Sequence, residues 1–182
     1  MIKIYVKKII DNSHAKTWDD AVLEWGIYNC EEDESLTESC VCGKENLRYL
    51  YTIINRITNY QLHPIGSVCI KKFKRGDLNA EIAINEQLFK ILKAVENKEY
   101  ISLDSKYFSK KLLRYFYDND VFQKNSYNNG DAYNDYIFLL NIFNKRNKDN
   151  ITANQHKKIN ALILNNIKPY LKQKLSIRKK SL

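Results

Sequence analysis

The chain has 182 residues, 44% of them apolar and 12% aromatic, with 13 Tyr and 7 Phe, a composition that supports a packed core and excludes an intrinsically disordered chain. Its 30 Lys and Arg against 21 Asp and Glu give a formal net charge of +9, and no stretch approaches the roughly 18 uncharged apolar residues of a membrane-spanning helix. The opening MIKIYVKKIIDNS carries charge inside its apolar run and no small-residue cleavage site. A cytoplasmic protein without membrane association is therefore expected, one in which four cysteines serve as metal ligands or free thiols rather than as disulfides.

In chain order, IKIYVKKII at residues 2–10 allows a short strand or an amphipathic turn. Thr17 followed three residues later by Asp20 has the form of a capping box, and Trp18, Val22 and Trp25 share a helical face, which predicts a short helix from Trp18 to about Gly26. An acidic loop follows. Leu47 to Ile54 is apolar on nearly both alternating faces and predicts a strand covered on both sides; Arg56 to Asn59 then forms a turn and Tyr60 to Leu62 the second strand of a hairpin. Ser67 is placed to cap a helix that begins near Cys69.

Beyond residue 76 the apolar period is helical. Leu78, Ile82, Phe89, Leu92 and Val95 mark one helix, and Phe108, Leu112, Leu113 and Phe116 a second. A third starts at Tyr133, Ile137, Leu140 and Phe143 after the polar loop NSYNNGDAYND, and a fourth holds Ile159, Leu162, Ile163 and Ile167 behind a Thr152–Gln155 capping box. Pro169 is expected to stop or kink it. The expected fold class is α+β: a small treble-clef-like zinc module with a β-hairpin over residues 1–76, followed by a mainly helical region, 77–182, with a basic tail.

The cysteines give this module its chemical reading. A treble-clef site needs a tight turn carrying two thiolates, a hairpin, and a helix whose first turn supplies another ligand. Cys40 and Cys42 before Gly43 suit the turn, and Cys69 suits the helix start. Cys30 is the expected fourth ligand, with His63 at the end of the second strand as its rival. The C-x-C spacing is less diagnostic than C-x-x-C, and four buried, inert thiols remain the alternative to zinc.

Charge is distributed unevenly. Residues 1–41 hold nine acidic and four basic side chains, whereas residues 145–182 hold eleven basic side chains and the single acid Asp149. Such asymmetry points to a polyanionic partner. The candidate phosphate contacts are Lys71, Lys72, Lys74 and Arg75 after the zinc module, and Lys172, Lys174, Arg178, Lys179 and Lys180 in the tail. Tyr115, Tyr117, Tyr127 and Tyr133 lie near basic or Asn-rich segments, where they could stack on bases.

Enzymatic signatures are sparse. The H-x-E and P-C-x-x-C elements of nucleobase deaminases, a P-loop and a glycine-rich dinucleotide fingerprint do not occur. A His-metal nuclease would use His63 as general base with Asn55 orienting it, but His14 and His156 lie far from that hairpin in sequence. A non-enzymatic protein is expected.

The run CVCGKENLRYLYTIINRITNYQLHPIGSVCIKKF resembles a zinc-finger pattern of Firmicutes phage and mobile-element proteins, in which C-x-C-G, a hydrophobic strand and a turn precede G-S-x-C-[IV]-K-x-F. TWDDAVLEW upstream and FLLNIFNKRNKDNITANQHKKINALILNNIKPYL downstream extend the likeness over most of the chain. The chain also resembles, in overall size and sequence, the clostridial type II-A anti-CRISPR proteins. The resemblance implies a phage or mobile-element setting and a CRISPR-Cas type II effector nuclease with its guide RNA as partner. In that reading basic residues meet DNA or RNA, and the acidic cluster Glu31, Glu32, Asp33 and Glu34 meets a cationic protein groove.

Overall fold

The computed structural model describes residues 2–178 and shows a mixed α+β protein. The elements are α1 (Ile2–Asp11), α2 (Trp18–Ala21), β1 (Trp25–Asp33), β2 (Tyr49–Asn55), β3 (Gln61–Ile65), α3 (Ser67–Lys71), α4 (Gly76–Glu96), α5 (Lys110–Asp118), α6 (Ala132–Asn144), α7 (Ala153–Leu162), α8 (Lys168–Lys174) and β4 (Ser176–Arg178). They form two compact units, Met1–Asn85 with Leu175–Leu182, and Glu86–Lys174, the division falling within α4.

The first unit is built on a sheet of order β3-β2-β1-β4. Strands β1 and β2 pair antiparallel with Trp25 opposite Asn55 and Cys30 opposite Tyr51, β2 and β3 form the expected antiparallel hairpin, and β4 adds to β1 in parallel. Tyr51, Ile53 and Ile65 are fully buried on this sheet, together with Ile70 of α3 and Tyr5 and Ile9 of α1. Tyr5 stacks on Phe73 at 6.2 Å between ring centroids, and the Trp18 ring closes the trio edge-on at 5.6 Å from Phe73. Aromatic contacts of this kind contribute about 0.5–1.5 kcal/mol beyond burial itself.

Several expectations are corrected here. Residues 2–11 are helical: Tyr5 and Ile9, four apart, are buried on one helical face while Lys7 is exposed, whereas a strand would set Lys7 on the same face as both. The helix expected to run to Gly26 is α2 plus a 3-10 turn, Val22–Glu24, and Trp25 already opens β1. The acidic run is consequently no loop: Glu31, Glu32 and Asp33 close β1. Glu32 and Asp33 are buried. Arg48 donates to Glu32 at 2.7 Å, and Asp33 accepts from the Ser35 and Thr37 backbone N–H groups at 2.9 and 3.1 Å.

A buried polar node ties the N-terminal helices to the hairpin. The Glu24 carboxylate accepts from the His14 and Ala15 N–H groups at 2.9 and 2.7 Å and from Asn55 Nδ2 at 2.7 Å. Trp25 Nε1 donates to Ser13 Oγ at 2.9 Å, and Ser13 Oγ itself donates to the Ile9 carbonyl at 2.7 Å. Asn55 Oδ1 accepts from the Ile57 and Thr58 N–H groups, which fixes the hairpin turn.

The second unit is helical. Thr152 and Gln155 form the expected reciprocal capping box at the start of α7. Pro169 does not end the helical run; a π stretch, Ile163–Ile167, separates α7 from α8 and shifts the hydrogen-bond pattern just where proline lacks a donor and crowds the preceding turn. Buried Leu112, Leu113, Phe116, Leu139, Ile163, Ile167 and Leu171 form its core. Asp135 is buried and accepts from Asn128 Nδ2 at 2.7 Å, with Lys158 Nζ at 2.7 Å. No helix among the described residues is long and apolar enough to cross a membrane.

Burial opposes ionisation of Glu24, yet the hydrogen bonds from Asn55, Ala15 and His14 prevail and lower its pKa. A carboxyl depressed in the folded state stabilises above its unfolded value, roughly 4.3, and that stabilisation is lost as pH falls through the folded value. Glu24→Ala should cost about 3 kcal/mol at pH 7, since the buried Asn55 amide and the partly buried His14 and Ala15 N–H groups lose their acceptor. The gap from wild type, measured by urea unfolding, should narrow below about pH 4.

Candidate metal centre

The local backbone explains why three distant cysteines meet. Cys40 donates its N–H to the Lys44 carbonyl at 2.8 Å and Gly43 donates back to the Cys40 carbonyl at 2.7 Å, closing a tight turn around Val41 and Cys42. Gly43 has φ +87°, a left-handed conformation that glycine adopts without steric cost. Val41 N–H donates to the Pro64 carbonyl at 3.0 Å, which docks the turn on β3. The chain leaves β3 through Gly66, whose N–H donates to Cys40 Sγ at 3.3 Å, and Cys69 follows in α3.

Cys40, Cys42 and Cys69 present Sγ atoms all within 4.8 Å of one another. Cys40 and Cys69 are buried with sulfurs 3.7 Å apart, and Cys42 is half-buried. An ion that binds thiolates at about 2.3 Å with tetrahedral angles sets its sulfurs about 3.8 Å apart. The Cys40–Cys69 separation has the length of such an edge, so the three thiols could hold a single metal ion.

Electrostatics around the sulfurs favours a thiolate at Cys40. The Cys69 thiol beside Cys40 holds the Cys40 pKa well below the ordinary thiol range despite burial, with help from the Cys42 and Gly66 N–H groups. Cys69 is correspondingly pushed up, first by its hydrogen bond to Cys40 and then by burial. Lys72 Nζ stands 4.0 Å from Cys69 Sγ and 5.9 Å over the Tyr5 ring. Tyr5 donates its hydroxyl to the Cys69 carbonyl at 3.1 Å, and its own ionisation is disfavoured by burial and by the negative sulfurs. A divalent ion with three thiolates would leave one net negative charge, which the Lys72 ammonium would offset.

Neither candidate for the fourth ligand joins the cluster. Cys30 is fixed by the ladder opposite Tyr51, on the buried side of the sheet, with its Sγ 3.9 Å from the Glu31 carbonyl. His63 is exposed, and its Nδ1 pairs with Thr52 Oγ1 at 2.9 Å. Asn55, expected to orient His63, instead belongs to the buried Glu24 node. Among the described residues, the group that could hold a metal ion is therefore the three cysteines.

The basic candidates divide in the same way. Lys71 and Lys74 are exposed, as are Lys172 and Lys174. Arg75 is absorbed by the fold, donating to the Val22 and Leu23 carbonyls at 3.0 and 3.4 Å and pairing with Asp77. Of the tail, Arg178 closes β4 and Lys179 and Lys180 lie outside the described residues. Among the tyrosines, Tyr115 bonds Tyr170 through the hydroxyls at 2.9 Å and Tyr117 packs on Tyr133 and Tyr136, whereas Tyr127 is 89% exposed.

Sequence reasoning missed Lys72 as the neighbour of the sulfurs and Tyr5 as their backing. Its only signal was the placement of Lys72 three residues after Cys69, which on a helical turn puts the two side chains together. No protein-family model, curated protein or solved structure matches the chain. The functional reading therefore rests on these residues.

Two single substitutions separate the ligand sets. Cys69→Ser should abolish retention of added Zn²⁺ through desalting and destabilise the first unit, because binding energy at such a site is folding energy. Cys30→Ser should keep the metal. Loss of metal in both variants would return Cys30 to the ligand set.

Proposed function

We propose that this chain is a non-enzymatic binding protein for nucleic acid or a nucleic-acid-loaded effector, with one zinc ion organising a treble-clef-like element in its first unit. The observation that carries the proposal is the 3.7 Å separation of the buried Cys40 and Cys69 sulfurs, one tetrahedral edge, with Cys42 beside them. Thiolate-rich sites of this geometry select zinc among the common divalent ions that lack redox chemistry. Its role is structural, joining the Cys40–Lys44 turn, β3 and α3 into one support.

That support carries the exposed Lys71 and Lys74, and the second unit carries the exposed Lys172 and Lys174 on α8. With a net charge of +9, these side chains suit phosphate binding whose affinity comes from counterion release. Of the acidic cluster, Glu32 and Asp33 are buried while Glu31 is half-buried and Glu34 exposed, a reduced acidic surface that favours nucleic acid over a cationic protein groove as the first contact. An RNA-guided type II effector with its guide is the loaded partner to which the sequence resemblance points. A binder at its nucleic acid could block target access without any chemistry.

Fluorescence anisotropy with duplex DNA and with RNA across a salt series tests this reading. Replacing Lys71 and Lys74 by Glu should weaken binding and reduce the slope of log affinity against log salt by about 0.9 for each duplex phosphate that is no longer neutralised. Arg75→Ala should lower stability and leave that slope unchanged. Absence of binding at low salt to free nucleic acid and to a guide-loaded type II effector alike would overturn the proposal.

A further inference from the structure

We propose that the metal at Cys40, Cys42 and Cys69 takes its fourth ligand from outside the chain, and that this ligand is a low-molecular-weight thiol bearing a carboxylate. The inference rests on the three-thiol metal reading above. A tetrahedral ion takes four donors, and three His, Cys, Asp or Glu side chains meet here among the described residues. Cys30 and His63 are held elsewhere by the β1–β2 ladder and by Thr52.

The fourth position has somewhere to face. All three cysteines line a pocket of about 340 Å³, a volume in the range that accepts small ligands. Its rim brings Lys44, Arg48 and Lys72 together and contains no carboxylate. Arg48 is paired with Glu32, and Lys72 sits 4.0 Å from Cys69 Sγ, offsetting the negative charge of the metal with three thiolates. Lys44 is exposed at the mouth, a cation beyond those two.

Two properties of the pocket choose the ligand. An ion already held by thiolates favours a further soft donor over oxygen. The cationic rim favours an anionic molecule over a neutral or cationic one. A thiol with a carboxylate satisfies both: its sulfur bonds the metal as thiolate, its proton passes to solvent, and its carboxylate lies toward Lys44. Exposed Val68 and buried Leu47 supply an apolar wall for the connecting carbons.

The test uses the full chain loaded with Co²⁺ in place of zinc, since thiolate-to-cobalt charge-transfer absorption reports the number of bound thiolates. Titration with 3-mercaptopropionate should raise that absorption by about one third, from three thiolate bonds to four. Neutral 2-mercaptoethanol should require several-fold higher concentration, and cationic cysteamine more again. Lys44→Ala should remove the preference for 3-mercaptopropionate over 2-mercaptoethanol while leaving the starting spectrum intact.

An unchanged spectrum on adding 3-mercaptopropionate overturns the inference, as does release of cobalt by the thiol, measured as metal content after desalting. A four-thiolate spectrum before any addition that falls to three in Cys30→Ser also overturns it, by making Cys30 the fourth ligand. Equal affinity for the three thiols removes the assignment to a carboxylate-bearing one. Failure of the underlying metal reading looks different: no charge-transfer band forms on adding Co²⁺ at all.

Discussion

Three thiols gathered within 4.8 Å in a half-buried corner are the constraint on which the first unit depends. Negative sulfurs at this spacing repel one another, and burial deprives them of water. A cation among them reverses both effects. The Cys40–Lys44 turn, the exit from β3 at Gly66 and the position of α3 are placed so that the sulfurs converge, and Lys72 and Tyr5 add a charge and a wall.

Much of the remaining charge in this unit is used for folding. Glu24 organises three donors, Glu32 holds Arg48, Asp33 shapes the turn after β1, and Arg75 clamps carbonyls of the 3-10 turn. A charged side chain engaged in this way would forfeit its native partners to reach an external one, and the others would be left unsatisfied in a buried setting. Exposed lysines such as Lys71 and Lys74 stand outside these fold contacts, and a polyanion is the partner class proposed for them.

The hairpin, the helix start near Cys69 and the helical second half were legible because their signals are local: the aromatic and β-branched run from Tyr49 to Ile54, a Gly-Ser break before the helix, and a helical period with a Thr152–Gln155 box. The cap expected of Ser67 is not made, because the helix already starts at Ser67 and Gly66 holds the N-cap position without a side chain to donate or accept. Strand β1 was not. Its residues include Gly26, Asn29 and three acids, poor strand formers taken individually, and it exists because β2 offers a partner along its length. Likewise, α1 reads ambiguously until Tyr5 and Ile9 find a core. The convergence of Cys40, Cys42 and Cys69 was legible from the turn and helix positions. Cys30 misled because its sequence proximity to Cys40 carries no information about the sheet face that it occupies. Nothing in the linear chain distinguished Lys71, which is exposed, from Arg75, which is consumed by carbonyls 50 residues or more away.

Elemental analysis of the wild-type chain, purified without chelator, measures the central claim directly. About one zinc per chain is expected, the stoichiometry of a single tetrahedral site, with a fall in melting temperature once a strong chelator removes it. Protein that is folded, metal-free as purified, and unchanged in melting temperature on adding zinc would contradict a metal-organised first unit.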